Sequence, residues 1–341
     1  MIALAGLLVW STTDGGGTTK VAQFTRPGAE TRAESNRRLE AMIRREKRAK
    51  EEVAAELRLQ QKSEVEKTGI DGSPRSSNET SSSQSPERQH QPQGSSKSFA
   101  TLESEISGEI GVAYAPLGSP ESQSFGPLQV GHAWSSFKVP ISVTVMSEQG
   151  GSLNSNQESL VASAITASDN AAAAALFTEL ESMTGGGASQ AVEQILSDSG
   201  APTAVATAPP PPGAVSSWGQ TEWPLASSTR FYNALACGAY GGATETILGD
   251  MENVIPEQQW GLGQAPFPSG TSVAIKAGWG PDGSESGPYL VRQAGIIRSE
   301  SGGAVVTIAA QDSSGSFEAG VSDLDRVADW VAGNVALNGS C

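Results

Sequence analysis

The chain has 341 residues and a net charge of −15, and only 17% of its residues are charged. The charge is uneven, because residues 98–341 hold six of the 22 Lys and Arg but 24 of the 37 Asp and Glu. So acidic a region excludes nucleic acid as a main partner, since phosphates need cations opposite them. Two Cys and two His are too few for a structural zinc site, so we predict no metal and no cofactor. No run reaches the roughly 18 apolar residues of a membrane-spanning helix.

The first part of the chain divides into segments by composition. Residues 1–29 open with a nine-residue apolar run, Ile2–Trp10, which is either a frayed terminus or what remains of a signal or anchor segment that would tether the chain to a membrane. Residues 30–70 predict a charged helix, with a solvated helix and a coiled coil as alternatives. Residues 71–98 are rich in Ser, Gln and Pro and predict a disordered linker. Residues 99–341 then predict one globular domain.

Hydrophobic periodicity predicts strands at both ends of this domain and helices between them. A strand over 109–115, with an irregular partner over 124–131, precedes two Ala-rich helical runs and a Pro-rich stretch at 201–224. The remaining predicted elements are a helix over Leu225–Cys237, strands over 271–278, 289–298 and 303–311, and a helix over 323–335. This order predicts an α+β fold, in which an antiparallel sheet flanked by terminal helices carries an inserted helical subdomain.

Three short motifs carry the residues suited to chemistry. Ser135 and Lys138 form a Ser-x-x-Lys pair, and three residues of helix place both side chains on one face. The Lys amine acts as a base only when burial or a nearby cation lowers its pKa. The other two motifs are Ser168-Asp169-Asn170 and Lys276-Ala277-Gly278. Each also has a plain alternative: a helix cap at Ser135, loop chemistry at Ser168, and a solvated strand residue at Lys276.

The motifs, in this order, resemble those of the penicillin-recognising serine enzymes, and within them the class A β-lactamases. The resemblance extends over roughly residues 105–338. It implies catalytic roles for Ser135, Lys138, Ser168 and Lys276, and substrate binding by Asn170, Ala277, Gly278 and Trp279. It also implies an oxyanion hole formed by the backbone N–H groups of Ser135 and Trp279.

The sequence departs from the family pattern at three places. Ala277 stands where the family usually has the hydroxyl of Thr or Ser, which helps to hold the substrate carboxylate. Residues 201–221 contain no acid, although the family carries its deacylating Glu on a loop after the second motif. Glu222 is the one candidate base, and the alternative is that it belongs to the entry of the following helix. Only 33 residues separate Ser135 from Ser168, which predicts a trimmed helical subdomain.

Two further features concern the cysteines and a histidine. Cys237 and Cys341 are the two cysteines of the chain, and we predict a disulfide between them if the domain is exported. The alternative is a buried thiol and a tail thiol. His132 precedes Ser135 by three residues and is interpreted as a strand-end histidine rather than a catalytic one, because Lys138 is present.

The sequence therefore predicts an extracytoplasmic protein, secreted or membrane-anchored. It would be a serine hydrolase acting through a Ser135 acyl-enzyme on β-lactams or related amides and esters, including small-molecule or peptidoglycan-derived substrates. One alternative is a penicillin-binding or D,D-peptidase-like protein with slow deacylation. The other is a non-catalytic cell-wall-associated module on the same fold.

Overall fold

A computed structural model describes residues 98–211, 214–282 and 288–341. The predictions for an apolar remnant, a charged helix and a linker lie outside these residues. Five strands form, β1 (Gly108–Pro116), β2 (Gln123–Phe125), β3 (Ser272–Pro281), β4 (Tyr289–Ser299) and β5 (Gly302–Asp312). The helices are α1 (Phe99–Ser104), α2 (Lys138–Glu148), α3 (Ser155–Thr166), α4 (Asn170–Met183), α5 (Ala188–Asp198), α6 (Leu225–Ala236), α7 (Gly242–Glu252) and α8 (Phe317–Asn334). Within the described ranges, no helix is long and apolar enough to cross a membrane.

All five strands join one antiparallel sheet in the order β2-β1-β5-β4-β3. The strands β3, β4 and β5 follow one another in sequence, whereas β1 and β2 come before the helical segment. Strand β3 is the last strand in this spatial order and therefore forms one edge of the sheet. Its register with β4 places Gly278 opposite Arg292 and Ala277 opposite Gln293. This edge strand carries the Lys276-Ala277-Gly278 motif.

The sheet separates two hydrophobic cores. One face packs against the terminal helices α1 and α8 through residues such as Ile275, Val291 and Leu324. The helices between β2 and β3 form the other core, which includes Phe137, Ile141, Leu176 and Trp223. The α+β architecture with an inserted helical subdomain is therefore confirmed. The motifs lie where this subdomain meets edge strand β3.

Some predicted boundaries were wrong. The last helix begins at Phe317 rather than Asp323, because the Ser316 side chain accepts a hydrogen bond from the Ala319 N–H and caps the helix there. The partner of the first strand is three residues long and ends at Phe125. Pro127 follows two residues later, and proline cannot donate a ladder hydrogen bond. Helix α6 ends at Ala236, so Cys237 is its C-cap residue.

A disulfide joins Cys237 to Cys341, whose Cα atoms are 5.2 Å apart, and ties the chain terminus to the end of α6. The bond closes a chain separation of 104 residues. A loop of that length restricts the unfolded chain strongly, so we expect the double variant Cys237→Ser/Cys341→Ser to lose about 2–4 kcal/mol of unfolding free energy. Urea denaturation of the variant and the oxidised protein measures the difference. An unchanged midpoint would contradict a stabilising role for the bond.

Candidate active site

The segment before α2 holds Ser135 in a short 3-10 turn, Trp134–Phe137, and α2 begins at Lys138. Ser135 is partly exposed, whereas Ser136 and Lys138 are fully buried. Trp134 adopts a positive φ of 48°, which is uncommon for a residue with a side chain. The turn therefore presents Ser135 to the surface and sends Lys138 inward.

Several buried groups hold this turn in place. The Ser136 carbonyl accepts a hydrogen bond of 3.0 Å from the hydroxyl of fully buried Tyr232 on α6. Arg292 on β4 donates through Nη1 to the carbonyls of Gly131 and Trp223, each at 3.0 Å. Burial in an apolar region raises the pKa of Tyr232 and lowers the pKa of Arg292 to about 10. No local sequence pattern predicts these contacts, because they join residues far apart in the chain.

The second motif connects α3 to α4. Ser168 adopts a positive φ of 57°, and Asp169 caps α4 by accepting a hydrogen bond of 2.9 Å from the Ala172 N–H. Asn170 is the first residue of that helix. Trp134 and Ser168 are the two non-glycine residues with positive φ in the described part of the chain. Such conformations cost about 1–3 kcal/mol and gather at functional sites, which is consistent with a functional role for both turns.

The three motifs meet around the Ser168 hydroxyl. Lys276 donates to Ser168 Oγ at 2.9 Å and to the Ala277 carbonyl at 3.1 Å. Lys138 donates to Asn170 Oδ1 at 2.6 Å, to the Ser168 carbonyl at 2.5 Å and to Ser168 Oγ at 3.3 Å. Both lysines are 0% exposed, and Ser168 is 6% exposed. The solvated-strand alternative for Lys276 is therefore wrong.

Two buried amines so close together affect each other's protonation. Burial, and secondly the charge of Lys138, hold the pKa of Lys276 well below its usual value. A neutral amine can accept a proton, whereas an ammonium ion cannot. The Ser168 hydroxyl contacts both amines and can both accept and donate a hydrogen bond, so it can pass a proton between them.

Gly278 lies directly against the nucleophile turn. A Cβ atom at this position would come within 2.9 Å of the Ser135 nitrogen, 2.8 Å of the Ser136 nitrogen and 2.6 Å of the Ala133 carbonyl oxygen. Only a residue without a side chain permits this approach. Trp279, the next residue, is partly exposed and packs 5.6 Å from the ring of Phe317.

Four further tryptophans are in the core. Trp134 is 7% exposed, and its ring occupies the space that a side chain at Gly280 would need. Trp134 therefore packs between the turn and β3. Trp218, Trp223 and Trp260 are also buried.

His132 makes an ion pair just before the nucleophile turn. Its Nδ1 atom lies 2.8 Å from Asp282 Oδ1, and Gln311 Nε2 donates to the other Asp282 oxygen at 3.0 Å. Its backbone forms an antiparallel bridge with Glu222. The hydrogen bond to Asp282 is the main cause that raises the pKa of His132, and the same bond lowers the pKa of Asp282. The pair links the turn to the end of β3.

This pair predicts a pH-dependent contribution to stability. It is fully present between the unfolded-state pKa values of Asp282, about 4, and of His132, about 6.5. It falls as the pH rises through the raised pKa of folded His132, and also as the pH drops through the lowered pKa of folded Asp282. Because both side chains are partly exposed, we expect Asp282→Asn to cost about 1 kcal/mol or less near pH 5.5. Melting temperatures from pH 5 to 9 test this, and a constant difference would contradict it.

Comparison with solved structures relates this arrangement to known folds. The chromosome-encoded β-lactamase of Vibrio parahaemolyticus aligns with a TM-score of 0.54 and 17% identity, covering 68% of this chain and 95% of that one. A class A β-lactamase from Bacteroides cellulosilyticus aligns with a TM-score of 0.55 and 14% identity, covering 69% of this chain and 94% of that one. An ancestral class A β-lactamase aligns with a TM-score of 0.53 and 19% identity, covering 68% of this chain and 96% of that one. The chain has the class A β-lactamase fold. No family model and no curated protein sequence matches it.

On this class A β-lactamase fold, the loop after the second motif differs from the family pattern in its chemistry. Residues 201–221 contain no Asp or Glu. Glu222 has an exposed side chain, and it lies two residues before Pro224, the N-cap residue of α6. Its position fits the helix-entry alternative. The three motifs are thus brought together by their contacts, whereas Glu222 lies at the surface.

Metal ligands are not gathered at this site. Among the described residues, no group of three or more His, Cys, Asp or Glu side chains is placed to hold a metal ion.

Proposed function

We propose that this protein is a serine hydrolase of the β-lactamase type, in which Ser135 forms an acyl-enzyme with amide or ester substrates. The observation that carries the proposal is the Ser168 hydroxyl, which accepts hydrogen bonds from two fully buried lysines beside the Ser135 turn. Burying two amines is costly, and this cost favours a functional over a purely structural reason for their presence.

In the proposed acylation, Ser135 Oγ attacks the substrate carbonyl carbon, and Lys138, as the proposed base, accepts the proton of Ser135. The carbonyl oxygen becomes an oxyanion, for which the backbone N–H groups of Ser135 and Trp279 are the proposed donors. The bond to the leaving nitrogen or oxygen then breaks, and Ser168 delivers a proton to that atom while it regains one from the protonated Lys138. Asn170 would bind the substrate amide. The product is an ester between Ser135 and the acyl group.

Release of the acyl group should be slow. Hydrolysis needs a base that activates water beside the ester. The acid-free loop at 201–221 and the exposed side chain of Glu222 supply no buried carboxylate for that role. These features favour the penicillin-binding or D,D-peptidase-like alternative, with a long-lived acyl-enzyme, over rapid β-lactam turnover.

The disulfide between Cys237 and Cys341 supports an oxidising, extracytoplasmic location. The proposed substrates are accordingly small molecules or peptidoglycan-derived compounds outside the cytoplasm. A membrane tether through residues 1–29 remains a prediction.

Burst kinetics test this proposal. The full-length protein is mixed with a fluorescent penicillin, a chromogenic cephalosporin and an activated aryl ester of phenylacetic acid, in parallel with Ser135→Ala. We expect a burst of about one equivalent of leaving group with at least one probe, followed by slow turnover, and no burst in Ser135→Ala. Rapid, Ser135-dependent turnover of the β-lactams would contradict slow release. Absence of a burst with every probe would favour the non-catalytic alternative.

A further inference from the structure

The edge of β3 continues from Gly278 into a group of aromatic side chains. The ring centroid of Trp279 lies 6.0 Å from that of Trp260 and 5.6 Å from that of Phe317. The ring centroid of Tyr289 lies 6.0 Å from that of Phe317. Trp279, Phe317 and Tyr289 are partly exposed, and Trp260 is buried beneath them. We call these four residues the aromatic rim. It begins one residue after the glycine that contacts the Ser135 turn.

Ala277 lies beside the rim because the structure fixes a loop over it. Ala277 pairs with Gln293 on β4. The buried amide of Gln293 donates to the Trp260 carbonyl at 2.8 Å and accepts from the Leu262 N–H at 2.7 Å. Trp260 and Ala277 belong to the same cluster of buried apolar residues, so a methyl group lies among apolar side chains at the position where the family pattern has a hydroxyl. The Ala277 side chain is 3% exposed and has apolar surroundings, whereas its backbone carbonyl accepts the hydrogen bond from Lys276.

Among the described residues, no free cation serves this side of the site. Residues 98–341 contain six Lys and Arg. Lys138 and Lys276 are buried around Ser168, and Arg292, 1% exposed, points to the carbonyls behind the nucleophile turn. The others are assigned elsewhere: Arg298 donates to Ala236, Arg326 pairs with Glu105, and Arg230 lies exposed on α6.

From this combination we infer that the position beside Ala277 and the aromatic rim binds an uncharged, apolar or aromatic group of the substrate, so that Ser135 acts on neutral esters or amides in preference to carboxylate-bearing ones. A carboxylate placed there would lose its water and gain no cation, whereas an aromatic group would bury apolar surface against Trp279. Burial also lowers the pKa of Lys276 and so weakens any attraction of a carboxylate by that amine. This inference rests on the proposed function and narrows its substrate class.

The test compares two isosteric aryl esters of phenylacetic acid, one with a carboxylate and one with a carboxamide on the leaving group. With the full-length protein we expect kcat/KM to be at least about tenfold higher for the carboxamide ester. Trp279→Ala should lower kcat/KM for that ester about tenfold, mainly through KM. Trp279→Arg should shift the preference toward the carboxylate ester, a change that a merely structural role would not produce.

A matched control lies at the opposite edge of the sheet. Trp330 on α8 packs 4.9 Å from Phe99 and 5.3 Å from Phe125, and it is partly exposed, as Trp279 is. Trp330→Ala should leave the ratio of the two esters unchanged. If Trp279→Ala does not fold, Phe317→Leu is the second variant, and it should also reduce the preference.

The outcomes separate the two proposals. If neither ester is cleaved in a Ser135-dependent way, the proposed function fails and takes the inference with it. If both are cleaved through Ser135 but the carboxylate ester is preferred or equal, the inference alone is overturned. The inference is also overturned if Trp330→Ala alters the ratio as much as Trp279→Ala does.

Discussion

Replacing Lys138 by Met should reduce the rate of Ser135 acylation by about 10³-fold, within the range for loss of a general base. Lys138 is fully buried, and its amine contacts Ser168 and Asn170. Methionine keeps the length and apolar stem of the side chain but cannot accept the proton of Ser135. The measurement is the burst rate with the activated aryl ester.

The control for this variant is Arg230→Met, which removes an exposed cation on α6 and should leave the burst rate unchanged. Lys138→Met also leaves Asn170 Oδ1 without its donor, which costs about 1–3 kcal/mol of stability. Melting temperature therefore has to be recorded for both proteins. A folded Lys138→Met protein with an unchanged burst rate would contradict the role of Lys138 as base.

Adding a single methyl group at Gly278 should lower the acylation rate by about 10²-fold, because small displacements of reacting groups have effects of that size. In Gly278→Ala the new Cβ would meet three backbone atoms at 2.6–2.9 Å, among them the Ser135 nitrogen. These atoms belong to the nucleophile turn and its flank, so either the turn or β3 has to move. Burst kinetics and thermal unfolding are measured together.

The matched control is Gly333→Ala in α8, where a Cβ would have no atom within 4 Å. That variant should keep its burst rate and gain about 0.5–1 kcal/mol of stability, since alanine favours helix more than glycine does. If Gly278→Ala keeps its burst rate, as Gly333→Ala is expected to do, the close approach of β3 to the turn is not required for acylation.

Local patterns explain why much of the fold could be predicted from the sequence. The alternating residues of β1, the largely apolar runs of β4 and β5, and the Ala-rich helices α3 and α4 are patterns within short segments. The three motifs were also recognisable, because each lies within four consecutive residues. The start of α8 was missed because its capping signal, Ser316, lies between Gly315 and Gly320, and glycines weaken a helical pattern.

The supports of the site were not predictable in the same way. Tyr232 reaches Ser136 across 96 residues, and Arg292 reaches Gly131 across 161. Gln293 positions Trp260, 33 residues earlier in the chain. Each of these contacts depends on how the helical subdomain returns to the sheet, which no local periodicity encodes. Sequence therefore identified the residues suited to chemistry, and the structure added what holds and surrounds them.

The most direct test of the account is peptide-mapped mass spectrometry of the full-length protein after incubation with the neutral aryl ester. Native protein and Ser135→Ala are quenched at a series of times and digested. We predict one phenylacetyl group on the peptide that contains Ser135, persisting after the free ester is removed, and no acylated peptide in Ser135→Ala. An adduct on another residue, or the same adduct in both proteins, would contradict the assignment of Ser135 as the nucleophile.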